Sequence, residues 1–157
     1  FLQTQAEATG EESTSQVSDR LQIVSQSGEF NDSASKEEIT ELDFVIAKAP
    51  GSSNIDLDEV SVELIGADGQ ETFLLNGGNA SVNIFTDQED NNVLTSQSDR
   101  AEVGINLNNT VTTDTNALPY SLEEGDSLSV TFTTPSGATT TAEIRVPSTI
   151  VDQTVRL

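Results

Sequence analysis

The apolar positions of this chain follow two periods. Up to about Ser27, Val17, Leu21 and Val24 recur at helical spacing among polar residues, which predicts an amphipathic helix with a narrow apolar stripe. Thr9-Gly10-Glu11-Glu12 has the form of a capping box, so a helix is expected to begin or restart there, and Gly28 supplies its stop. Residues 28–38 read as a polar connector. After them the period changes to two. Leu42, Phe44 and Ile46 alternate with residues of the opposite face, as do Val60, Val62 and Leu64, and Asp68-Gly69 then marks a hairpin turn. Further short strands are predicted around Thr72–Leu75, Val82–Ile84, Ala101–Leu107, Leu128–Phe132, Ala142–Val146 and Ile150–Leu157. About seven or eight strands with regular turn signals point to a mainly β chain, an immunoglobulin-like antiparallel β-sandwich over residues 39–157, preceded by a helix over residues 1–27.

Composition sharpens this picture. The chain has 157 residues and a net charge of −21, from 27 acidic and 6 basic side chains. Such a balance removes the ordinary routes to nucleic acid and to anionic lipid, both of which need clustered Lys and Arg. High charge also favours disorder, but Leu, Ile, Val and Phe make up about a quarter of the chain, above the roughly one-fifth below which a core fails. The acidic residues are spread over the whole length, and the only lysines are Lys36 and Lys48. Spread charge of this kind suits a folded domain bathed in concentrated salt, where the screening length falls from about 10 Å at 0.1 M to about 3 Å at 1 M. An acidic secreted domain of ordinary kind is the alternative.

His and Cys are both absent. Zinc sites of the usual kind, thiol nucleophiles, His-containing triads and disulfides are excluded together, so an enzyme is not expected. Asp56, Asp58 and Glu59 cluster, but acid–base chemistry needs a cleft around such carboxylates, and Lys48 lacks the motif of a Ser-Lys dyad. Tyr120 is read as a brace at a sandwich corner. Asp87, Glu89 and Asn91 place oxygen ligands at alternating positions, a tentative calcium or magnesium loop without the glycine and distal glutamate of an EF-hand. No cofactor is required. Three Asn-x-Ser/Thr sequons, at Asn31, Asn79 and Asn108, are candidate glycosylation sites at loops or strand edges.

Several stretches carry a family resemblance. Residues 1–13 and 16–25 resemble the helix end of archaellins, the archaeal flagellins. Ala49-Pro50-Gly51-Ser52 with Ile55-Asp56-Leu57, the Ile65–Gly69 hairpin and the run from Thr133 to Pro147 are similar to segments of their outer domain, in the same order. The resemblance implies a subunit made with a short signal removed by a type IV pilin-type peptidase. It also implies that residues 1–27 are the last turns of a long N-terminal α-helix packing in the filament core, with Val17, Leu21 and Val24 as its seam. Residues 39–157 would then be the outer sheath.

On this resemblance the partners are copies of the chain and related archaellins in an extracellular filament that is turned for swimming. The acidic balance points to salt-loving archaea, and N-glycosylation is common in the family. No methionine occurs, and no run of about 18 apolar residues that would span a membrane. The expectation is therefore a piece cut after most of the core helix, with no membrane contact of its own. An adhesive pilin of the type IV class and a free extracellular binding module remain as alternatives.

Overall fold

A computed structural model describes residues 19–30, 38–86, 91–107, 117–148 and 154–157. Two antiparallel sheets face each other across one apolar core. The five-stranded sheet has the order β11-β1-β2-β8-β6, with β1 Leu21–Phe30, β2 Ile39–Lys48, β6 Ala80–Ile84, β8 Ala101–Asn106 and β11 Thr154–Arg156. The four-stranded sheet has the order β10-β9-β4-β5, with β4 Ser61–Gly66, β5 Gly69–Leu74, β9 Ser127–Thr133 and β10 Thr139–Arg145. A short ribbon of β3 Ile55–Asp56 and β7 Val93–Leu94 stands apart from both. Among the described residues no helix is long and apolar enough to cross a membrane.

The alternation read from the sequence is the alternation that packs. Leu42, Phe44 and Ile46 of β2, Val62 and Leu64 of β4, and Val130 and Phe132 of β9 all point inward and are buried. The Phe44 and Phe132 rings meet edge to face across the two sheets, with centroids 5.3 Å apart and planes at 79°, a favoured aromatic geometry. At the Asp68-Gly69 signal, β4 and β5 are joined by the two residues Ala67 and Asp68, and Gly69 takes φ +114°. That value is open to glycine and strained for any residue with a Cβ.

The helix expected to run to Ser27 is corrected over its last residues: Leu21–Phe30 is a β-strand paired with both β2 and β11. The reason is a β-bulge. Ile23 pairs with Ile46 and Ser25 with Val45, so Val24 is an extra residue on the β1 side. A bulge shifts the inward phase by one. Inward positions therefore run 21, 23, 26, 28, 30, and their mixed spacing imitates a helical period. Leu21 is buried, whereas Val24 is half exposed at 50%. The two do not form a seam, and Val17 lies outside the described residues.

Gly28 is likewise no helix stop but an inward strand position: a Cβ there would stand 2.7 Å from Leu157 and 2.9 Å from Ile39. The sandwich accordingly starts at β1. The ribbon of β3 and β7 has no counterpart among the predicted strands, since two-residue strands carry no readable period.

Candidate functional site

Among the described residues, three surfaces of the sandwich stand out: one chain junction and two sheet faces. At the junction, residues 19 and 20 are held from several sides. The Asp19 carbonyl accepts from Thr134 Oγ1 at 2.8 Å, and its carboxylate accepts from the Ser53 backbone N–H at 2.8 Å. The Arg20 carbonyl accepts from the Ala49 N–H at 2.9 Å and from Ser52 Oγ at 3.4 Å. At the next residue, Thr140 Oγ1 donates to the Leu21 carbonyl at 2.6 Å, tying β1 to the edge of the opposite sheet. These bonds fix the direction in which the chain enters the sandwich. A groove of about 650 Å³ lies beside them, lined by Arg20, Ile23, Pro50 and Thr139–Thr141 among others.

The outward face of the five-stranded sheet is acidic. Glu29 stands opposite Glu41, Asp43 opposite Gly104, and Val45 opposite Glu102. Gly104 leaves room for this crowding, because a Cβ there would lie 2.7 Å from Glu41 Oε1 and 2.8 Å from Ser81 Oγ. Partial burial, then the Asp43, Glu29 and Glu102 charges, push the Glu41 carboxyl above its ordinary value. Asp43 is raised for the same reasons, burial first, then Glu29 and Glu102. The outward face of the four-stranded sheet is of another kind. Thr133 faces Thr139, and Thr131 faces Thr141 with their hydroxyls 3.1 Å apart.

Several residues singled out in the sequence take structural places. Tyr120 is buried and its hydroxyl donates to the Gly69 carbonyl at 3.3 Å, while the Ser121 N–H donates to Asp68 at 2.8 Å, so the brace secures the β4–β5 hairpin. Burial, helped by the Asp68 charge, raises the Tyr120 phenol. Lys48 is buried, and its ammonium donates to the Ser52 carbonyl at 2.9 Å, while the Ser52 hydroxyl turns to Arg20. Asp56 caps the 3-10 turn Leu57–Glu59 through the Asp58 N–H, and Asp58 accepts from Asn92 at 2.8 Å.

Of the tentative cation loop only Asn91 is described. Its side chain accepts from the Val93 N–H at 3.3 Å, and Asp87 and Glu89 lie outside the described residues. No group of three or more acidic ligands suited to a metal occurs among the described residues. Asn79 sits half-buried in the turn before edge strand β6, its carbonyl accepting from the Asn106 N–H, whereas Asn31 and Asn108 lie outside the described residues.

Asp99 is a residue that sequence reasoning does not single out. It is 6% exposed, and its Oδ2 accepts from the Ser96 N–H at 2.7 Å, the Thr95 N–H at 2.9 Å and Thr95 Oγ1 at 3.2 Å. The Ser96 N–H above all holds this carboxyl below its ordinary value. The sequence signal for it is Ser96-x-x-Asp99, the Ser/Thr-x-x-acid pattern in which the acid accepts from the N–H three residues before it. Asp99→Ala is expected to cost about 1–3 kcal/mol by leaving buried N–H groups without an acceptor, read as a lower denaturation midpoint at unchanged slope. An unchanged midpoint would remove Asp99 from the account of this turn.

Comparison with known proteins follows the same lines. The family model described as "Archaeal-type flagellin" matches residues 1–144. Flagellin B1 of Natrialba magadii is 46% identical over 163 residues, an alignment covering 100% of this chain and 80% of that protein. The structure titled "The archaeal flagellum of Methanospirillum hungatei strain JF1" superposes with a TM-score of 0.67 at 15% identity, covering 96% of this chain and 79% of that one. The stator protein complex of FlaF and FlaG from Sulfolobus acidocaldarius also matches, with a TM-score of 0.50 at 17% identity over 79% of this chain and 87% of that one. At such identities the structures speak for the fold alone. Since filament and stator proteins share it, the sequence match is what separates them.

Proposed function

The chain belongs to the archaeal-type flagellin family, and from that premise we infer that it is a structural subunit of the extracellular archaeal flagellum, its sandwich standing in the outer layer of the filament. The observation that carries this reading is the 46% identity to a flagellin along the whole chain. In this role the chain acts mechanically, with no catalysis and no cofactor. Its partners are further copies and related flagellins, joined by contacts that repeat along a helix without closing. The hydrogen bonds around Asp19 and Arg20 fix where the chain enters the sandwich. The acidic coat keeps the surface hydrated in brine. Asn79, beside an edge strand, is the candidate glycan site within the described residues.

The test is made on filaments sheared from the source cells. Trypsin should release the peptide 101–145 from them, because Arg100 and Arg145 flank a stretch without Lys or Arg. A deletion strain should lose swimming and keep surface attachment. Loss of attachment with normal swimming would overturn the reading in favour of an adhesive pilin.

A further inference from the structure

Strand parity divides the two outward faces of this sandwich by charge. On the five-stranded sheet, Glu29, Glu41, Asp43 and Glu102 share one face, with Arg156 of edge strand β11 as its one basic residue among those described. On the four-stranded sheet, the corresponding face carries Glu63 and Glu143, with Arg145 two positions from Glu143 on β10. Glu63 is moreover covered by Gln70, whose amide donates to it at 2.7 Å. The rest of that face is hydroxyl and apolar: the paired threonines of β9 and β10, with Ile65 and Leu74 each 47% exposed on β4 and β5. In a chain of net charge −21, a sheet face this close to neutral is an exception.

From this asymmetry we propose that the outward face of the four-stranded sheet is the surface on which a second copy of this chain docks, leaving the acidic face to solvent. The proposal rests on the filament reading above and adds the surface used. Two identical, strongly acidic molecules can approach closely only where charge is sparse, since like charges set opposite each other across an interface are costly. Threonine hydroxyls lose little on desolvation when they hydrogen-bond one another, as Thr131 and Thr141 already do. A depression of about 350 Å³ at the β4–β5 hairpin end of this face, lined by Ile65, Ser127 and Ser129 with Asp126 and Glu143 among others, gives it relief that a neighbour's side chain can enter.

Size decides the kind of contact. Four strands about 4.8 Å apart and some six residues long cover roughly 400 Å², about half of the ~800 Å² per partner that a stable complex uses. The face is too small to hold a free dimer. It suffices where many copies are already held side by side and the effective concentration is high.

Residues 1–157 contain no cysteine, so within them a single introduced thiol reports on one place, and the unsubstituted protein serves as the labelling blank. Thr141→Cys, Thr139→Cys and Leu74→Cys probe the nearly neutral face, and Asn83→Cys and Ser25→Cys the acidic one. Each variant is introduced into the full-length protein in its source cells, and maleimide labelling rates are compared between intact filaments and subunits released from them at the same salt. The expected result is labelling at least tenfold slower in filaments at 141, 139 and 74, and equal rates at 83 and 25. Equal rates at 141, 139 and 74 would overturn the proposal while leaving the filament reading intact, as would protection confined to 83 and 25. Protection at 141 that persists in released subunits would show a cover from within the same chain, and would overturn it too. Absence of the chain from the filaments would remove both the proposal and the reading on which it rests.

Discussion

Phe44→Ala is expected to destabilise the sandwich by about 3–5 kcal/mol, the range for emptying a large aromatic site in a packed core. Phe44 is fully buried on β2, which pairs with β1 on one side and β8 on the other. Its ring is also the edge-to-face partner of Phe132 on the opposite sheet, a geometry worth roughly 0.5–1.5 kcal/mol beyond burial. The change therefore opens a cavity at the centre and removes a contact holding the two layers together. For a domain of this size the melting temperature should fall by roughly 10 °C or more. Phe85, 54% exposed beyond the end of β6, is the control, and Phe85→Ala should stay within about 0.5 kcal/mol. Equal effects of the two substitutions would mean that the aromatic pair does not join the sheets.

The second large effect is that of salt and pH on the acidic face. At pH 7, transfer from about 1 M to about 10 mM salt lengthens the screening distance from roughly 3 Å to roughly 30 Å. The carboxylates of β1, β2 and β8 then repel one another fully, and the melting temperature should drop on the order of 10 °C. The sign of the pH dependence follows from the raised carboxyls. Glu41 and Asp43 hold a proton more tightly in the folded chain than in the unfolded one, whose ordinary values are 4.5 and 3.8. Their contribution to stability is fully present below those values and is lost as pH rises through the raised ones.

Acidifying a low-salt sample from pH 7 toward the ordinary carboxyl range should therefore raise its melting temperature. Asp99 acts in the opposite sense. Its carboxyl is lowered from 3.8, so its contribution is present above that value and is lost as pH falls through the lowered one. A rise followed by a fall is expected, and Glu41→Gln with Asp43→Asn should flatten the rise and recover part of the low-salt loss. A melting temperature indifferent to salt, or one that falls between pH 7 and pH 5, would refute the account.

Much of this protein is legible in the local pattern of its residues. A period of two over Leu42–Ile46, Val60–Leu64, Ala101–Leu107 and Leu128–Phe132 specifies strands and the face each buries, because successive side chains on a strand alternate sides. The Asp68-Gly69 signal specifies the hairpin, since its geometry needs a residue free to take positive φ. Composition settles the absence of histidine and thiol chemistry, and the acidic excess settles the kind of surface. These are local or additive properties, and the chain states them in order.

Relations between distant residues arise only in the assembled sandwich. Leu21–Phe30 is a strand because β2 and β11 are there to pair with it, and the bulge at Val24, which disguises its period, exists only against the register of Ile46 and Val45. The gathering of Glu29, Glu41, Asp43 and Glu102 on one face depends on which strands lie side by side, and so does the neutral threonine face on the other sheet. The chain junction is of the same nature: Thr134, 115 positions from Asp19, meets it only once both sheets are assembled. Pairing and register are set by the sum of many weak contacts across the whole sandwich, and no short window of sequence contains that sum.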